Sequence, residues 1–325
     1  MVKRQATHAD SWYTGNSRRL DTELSGWLSA VSPPTEEYAP PVKGCKAIIS
    51  PHAGYAYSGP AAAWAYKSID TTGIKRVFIL GPSHHVYLDG CALSNCDSYA
   101  TPIGDLPLDL DTIKELRDTG IFSEMDIQVD EDEHSIEMQL PYVRKVFEGM
   151  DISIVPILVG AIGQKDEEMW GRTIAPYLAR EDTFCVISSD FCHWGTRFSY
   201  TLYYTSPPPE GTPMRLSRTV PTPTQLTTFP IHDSISSLDH EAMELLAMPP
   251  NNAASAHTYF HEYLARTKNT ICGRHPIGVL LGALTALQED RGIVPKLHWV
   301  RYEQSSKCIT VKDSSVSYAS GYVTF

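Results

Sequence analysis

Residues 46–55 read KAIISPHAGY: a short apolar run over 46–50 that stops at Pro51 and is followed at once by His52. A second run, RVFIL at 76–80, stops at Gly81 and is followed by GPSHH at 81–85. Short apolar runs bounded by Gly or Pro are the pattern of buried strands. Between them, residues 60–69 are rich in Ala and carry Trp64 and Tyr66, a stretch compatible with a helix. Strand, helix, strand is the signature of a parallel crossover, because parallel neighbours need a connection of a dozen or more residues. The alternation resumes downstream, with strands expected at 152–159 and 183–188 and a helix at 165–179. The fold class read from this order is α/β.

Toward the C-terminus, residues 233–247 and 253–266 show helical periodicity, as do 277–288 after Pro276, a residue suited to the first helical position. Closing strands are expected at 294–301 and 316–324. Residues 206–230 are rich in Pro and Thr and poor in apolar side chains, which reads as a mobile insertion.

The 325 residues are 42% hydrophobic, enough for a packed core, and one α/β domain of this length is admissible. Lys and Arg total 27 against 38 Asp and Glu, a formal charge of -11. That balance argues against a general affinity for nucleic acid or anionic lipid. The most apolar helical stretch, 277–287, is shorter than the roughly 20 residues that span a bilayer, so no membrane insertion is expected. Lys3 and Arg4 are followed by polar residues where a signal peptide would be apolar, so no cleaved signal is expected. The 7 cysteines are irregularly spaced and suit reduced thiols, which fits a cytoplasmic or nuclear compartment.

In open α/β sheets functional side chains gather beyond the C-terminal ends of strands. Three histidine-bearing segments hold that position: SPHAGY at 50–55, GPSHH at 81–85 and SSDFCHW at 188–194. A lone histidine is usually structural, but histidines recurring at equivalent strand ends point to metal binding or catalysis. A fourth segment, NTICGRHP at 269–276, sets the Cys272 thiol beside Arg274 and His275, cations that favour the metal-binding thiolate. Read alone, it is a buried inert cysteine before a Pro-started helix. A fifth, DEDEHSIE at 130–137, is expected to open a helix with acids suited to its dipole, His134 and Glu137 sharing a face. Spacing also suggests Tyr55 and His134 as supporting donors, and Cys192 beside His193 as a second, oxidant-responsive thiol. There is no GxGxxG, P-loop, GxSxG or HExxH pattern, which removes support for nucleotide binding and standard serine hydrolysis.

Together PHAGY at 51–55, GPSHH at 81–85, DEDEHSIEMQLPY at 130–142, SSDFCHWG at 188–195 and NTICGRHPIG at 269–278 closely resemble the Memo family, mediators of ErbB2-driven cell motility. The likeness runs in family order from HADSWY at 8–13 to DSSVSY at 313–318. Asp10 stands where the family pattern has Gly, and 206–230 looks like added sequence. The resemblance implies a single domain over 1–325, with a central mixed, largely parallel sheet flanked by helices, related to class III extradiol dioxygenases. It implies iron or copper held by His52, His84 and Cys272, with Asp190 and His193 beside them and His193 in the position of a general base. Zinc also suits a set softened by a thiolate.

Three functions are then in view. One is a redox metalloprotein linked to motility signalling and to control of metal or reactive oxygen. Another is an adaptor whose cleft, with Arg274, takes a phosphotyrosine-bearing or other signalling protein. The third is a ring-cleaving dioxygenase, against which the easily oxidised thiolate counts.

Overall fold

The apolar runs become parallel strands whose ends meet at one edge of a sheet. The protein, as a computed structural model, is described over residues 2–32, 38–208, 210–217 and 224–325. β1 (Lys3–Arg4) and α1 (Ser17–Ala30) precede β2 (Cys45–Ser50), α2 (Tyr55–Lys67) and β3 (Arg76–Pro82). Short elements follow: β4 (Cys91–Leu93), β5 (Ser98–Tyr99), β6 (Leu106–Pro107), α3 (Leu110–Asp118), β7 (Phe122–Glu124), α4 (Ile127–Asp132), α5 (His134–Glu137) and α6 (Leu140–Val146). Then come β8 (Ser153–Val159), α7 (Gln164–Leu178), β9 (Thr183–Ser188), β10 (His193–Trp194), β11 (Leu202–Tyr204) and β12 (Pro213–Arg215). The chain closes with α8 (Ile231–Leu246), α9 (Ala253–Thr267), α10 (Arg274–Arg291), β13 (Lys296–Gln304) and β14 (Ser315–Thr324).

The main sheet has 9 strands in the order β10-β14-β2-β9-β3-β8-β4-β7, with β13 on β14. Its centre, β2-β9-β3-β8, is parallel, and β14 and β4 join antiparallel on either side. This is the mixed sheet of a single α/β domain, parallel at its centre, with antiparallel pairings as numerous as parallel ones where the expectation was a largely parallel sheet. Every residue of β9 is buried, as a strand covered on both faces requires, so its sequence is a continuous run without alternation. α2 packs on β14 and β2, while α10 packs on α7, β3 and β9. Gly171 and Gly282 let α7 and α10 approach backbone to backbone: a Cβ on Gly282 would lie 2.7 Å from the Glu167 carbonyl oxygen.

Several boundaries differ from expectation for physical reasons. α2 starts at Tyr55 and takes Pro60 inside it. Its start is anchored by Tyr55 N–H donating to the Trp12 carbonyl, and its buried alanines offset the lost backbone bond. α10 starts at Arg274, which makes Pro276 its third residue, still in the turn whose N–H groups have no helical partner. The acidic run 130–137 does not open one helix. It ends α4 and caps α5, because Asp130, Glu133 and Glu137 are each drawn to buried cationic or imidazole partners.

Within 206–230, β12 pairs with β11 and residues 224–227 form a short 3-10 turn. Pro209 and residues 218–223 of the expected mobile insertion lie outside the described residues. All seven cysteines are unpaired. Among the described residues no helix is long and apolar enough to cross a membrane.

Candidate metal centre

Ser50 is in register with Ser188, and Leu80 with Ile187, so β2, β3 and β9 end together. His52 follows β2, His84 follows β3, and Asp190 and His193 follow β9. Cys272 reaches the same edge from the turn before α10. Its Sγ lies 3.1 Å from His52 Nε2, across 220 residues of sequence. One ligand atom from each of His52, His84 and Cys272 lies within 4.8 Å of the others. Gly273 permits this approach: its N–H donates to Ser189 Oγ at 3.2 Å, and a Cβ there would overlap the Ser189 side chain.

Hydrogen bonds fix which nitrogen each imidazole offers. Gln139 Nε2 donates to the Pro51 carbonyl at 3.0 Å and to Ser188 Oγ at 2.9 Å, while its Oε1 accepts from Tyr66 at 2.9 Å. The single Ser188 hydroxyl proton goes to the Ser135 carbonyl at 2.7 Å. Ser188 Oγ is therefore an acceptor toward His52, whose Nδ1–H donates at 2.7 Å. His52 Nε2 is left with a lone pair facing Cys272. His84 is set the same way, its Nδ1–H donating to Glu133 Oε1 at 2.9 Å while its backbone N–H donates to Glu133 Oε2 at 2.7 Å. A carboxylate behind a histidine is the usual support of a metal-bound imidazole.

Electrostatics suit neutral imidazoles. Burial, then the neighbouring His84, holds His52 well below the ordinary histidine range. Burial, with His52 and His84 nearby, pushes His134 down to about 2. Burial would raise the Glu133 carboxyl, but the His84 hydrogen bond and charge pull it below the usual carboxylate range. Burial pushes the Cys272 thiol well up, with Asp190 adding to the effect. A coordinating cation reverses that, since it takes the thiolate.

Asp190 Oδ1 accepts from the backbone N–H groups of His52 and Ala53 at 2.8 and 3.3 Å, which ties the ends of β2 and β9 together. Burial raises its carboxyl, opposed by His193. His193 is pinned at its backbone by Thr270 Oγ1 on both sides, at 2.8 and 3.0 Å, and its Nε2 is buried without a hydrogen-bond partner. Burial lowers it and Asp190 opposes that shift. A cleft of about 720 Å³ opens over these groups, walled by Trp12, Tyr57, Phe198, Val316 and Tyr318. His134 lines it, stacked between Trp12 and His84 at ring separations of 4.4 and 4.5 Å. It also makes a second candidate ligand group with His84 and Glu133.

Other residues singled out in the sequence lie elsewhere. The Tyr55 hydroxyl donates to the Met138 carbonyl at 2.7 Å inside an aromatic cluster with Tyr13, Trp27 and Tyr142, behind the cleft wall. Cys192 points into a separate apolar cluster with Trp194 and Tyr203, where burial drives its thiol far up. Arg274 faces away from the histidine cleft into another cavity, because α10 begins at this residue and turns it from Cys272. Glu133, Ser188 and Gln139 were not singled out as supporting groups. Glu133 sits in an acidic run that capping explains, and a serine and a glutamine in a core carry no sequence signal of their own. The exposed Trp12 ahead of the first helix was visible only as part of the family likeness.

The family described as Memo-like protein matches residues 4–322. A Xenopus laevis relative, Protein MEMO1, is 45% identical over 98% of this chain and 97% of its own length. The Homo sapiens Protein MEMO1 is 44% identical over 100% of this chain and 98% of its own. A solved structure of an uncharacterized protein from Escherichia coli K12 is similar at a TM-score of 0.45 and 13% identity, covering 84% of this chain and 99% of that one.

Proposed function

Because the chain belongs to the Memo family and brings two ligand-ready imidazoles to one thiol, we propose that it binds a redox-active metal ion, iron or copper. The observation that carries this is the meeting of one ligand atom from each of His52, His84 and Cys272 within 4.8 Å, with His52 Nε2 3.1 Å from Cys272 Sγ and each imidazole held through its Nδ1 by an internal acceptor. Two nitrogens and a sulfur form a softer set than the oxygen cages of Mg or Ca, and favour iron, copper or zinc. Iron or copper held there supplies one-electron chemistry beside the cleft.

Around the ion the chain's own groups have separate tasks. Ser188 and Glu133 keep the imidazoles in the ligating tautomer. Asp190 holds the His52 backbone, and its charge favours a proton on His193. His193, with an unpartnered buried Nε2, is the group suited to take a proton from a ligand in the cleft. Metal analysis of protein purified and loaded without oxygen tests the reading. Wild type should hold about one ion per chain, as one three-ligand site allows. His52→Ala, His84→Ala and Cys272→Ala should each lose it while remaining folded, and stoichiometric metal in all three would overturn the assignment.

A second reading has its own observation. Arg197 lines the cleft with Ser314, donors suited to the phosphate of a phosphotyrosine-bearing signalling protein. Calorimetry with phosphorylated and plain peptides, repeated on Arg197→Gln, tests it, and equal affinities reject it. Motility signalling, which the family resemblance implies, and a cytoplasmic or nuclear location, which the reduced thiols suit, belong to the metal-binding reading. Ring cleavage ranks below both readings because a thiolate ligand is easily oxidised.

A further inference from the structure

A second cavity, of about 500 Å³, lies among α7, α9 and α10 and shares no lining residue with the histidine cleft. Its shape follows from helical spacing. His257, Phe260, His261, Leu264 and Lys268 recur at three- and four-residue steps, so one face of α9 and its cap line the space. Arg274 and His275 enter from the first turn of α10, and Glu167 from α7.

Glu167 is the single carboxylate among the lining residues, and both its oxygens are taken. Oε2 accepts from His257 Nε2 at 2.6 Å and Oε1 from His275 Nδ1 at 2.7 Å. It reaches them by lying over Gly278, where any Cβ would overlap its carboxyl group. Of the other polar linings, the Asn269 amide donates to Asp239 and Tyr263 and the Thr270 hydroxyl to the His193 carbonyl, while His261 is exposed. Lys268 and Arg274 are different. Among the described residues neither forms an ion pair, and Arg274 makes only a long 3.4 Å bond to the Ile271 carbonyl. On a chain of net charge -11, two cations without counter-charges in one cavity stand apart. Phe260, Leu264 and Ile162 give the same space an apolar wall. Its volume is in the range of small-molecule sites and far exceeds a bare inorganic ion.

We propose that this cavity binds a small organic anion whose charged group is met by Lys268 and Arg274 and whose apolar body lies against Phe260 and Leu264. The site is independent of the metal reading, since no residue in it ligates the ion. Titration calorimetry on the full chain tests it, with phenyl phosphate and benzoate as probes and inorganic phosphate and phenol as half-ligand controls. The expected result is saturable binding of one or both probes, at least tenfold tighter than either control. That binding should survive Arg197→Gln and fall at least tenfold in Lys268→Gln and in Arg274→Gln, both at exposed side chains. The phosphate and carboxylate arms show which anion is preferred. Three results overturn the proposal: no saturable binding of either probe, binding retained in the Lys268→Gln/Arg274→Gln double variant, or binding abolished by Arg197→Gln alone.

Discussion

Glu133 decides which nitrogen of His84 faces the cleft, and it does so while capping α5 through the Ser135 N–H. Glu133→Gln keeps the cap's oxygen but removes the charge behind the imidazole. Metal affinity should fall about 10- to 100-fold, the usual effect of losing such support, with the fold retained. Anaerobic competition against a chromophoric chelator measures this, and an unchanged affinity would mean the carboxylate does not tune the site. The buried imidazoles also make the metal-free protein acid-sensitive. His52 and His134 have folded-state values below the ordinary 6.5, so their contribution is fully present above that pH. It is lost as pH falls below about 6.5, where unfolded histidines take protons that the folded ones refuse, at up to about 1.4 kcal/mol per pH unit each. Urea midpoints at pH 7.5 and 5.5 should show a larger drop for wild type than for His134→Gln. Equal drops would assign the acid sensitivity to other groups. The histidines themselves were legible as residues after apolar runs. Their tautomers were not, because these depend on Ser188, Gln139 and Glu133, which arrive from other elements.

The turn that carries Cys272 is wedged against the end of β9. Gly273 lies on Ser188 and Ser189, and a side chain there has nowhere to go. Gly273→Ala should displace the Cys272 turn, costing about 1–3 kcal/mol as other overpacked sites do, and metal affinity should fall with it. Chemical denaturation and metal titration on the same variant check both effects. A variant that keeps wild-type stability and metal would show that the turn has slack. Strands at 45–50, 76–82, 153–159 and 183–188 were readable nearly to their ends, because burial on both faces leaves uninterrupted apolar runs. The break between α4 and α5 was not readable. Acids that suit a helix N-terminus also suit buried partners, and only the partners' positions decide between the two.

At the scale of the molecule, the first residues of the chain are tied to the site from far away in sequence. Arg4 is fully buried and pairs with Asp130 and Glu137 at 3.0 and 2.7 Å, while its Nη2 donates to the Glu133 carbonyl at 3.0 Å. Burial opposes its charge, and the two carboxylates more than restore it. Arg4→Met leaves both carboxylates without their partner and should cost about 3–5 kcal/mol, read by urea denaturation. A loss of less than about 1 kcal/mol would show that this clamp is replaceable. By itself the sequence determined the α/β class, the strand ends and the histidines placed on them, because apolar runs and their Gly or Pro stops are local. The meeting of Cys272 with His52 was implied by the family resemblance and by no local pattern, and only the tertiary structure decided its geometry and that Arg274, two residues on, faces a different cavity. The direction of a side chain leaving a turn is set by what packs against that turn, here β9 on one side and α7 and α9 on the other, and no local pattern carries that information.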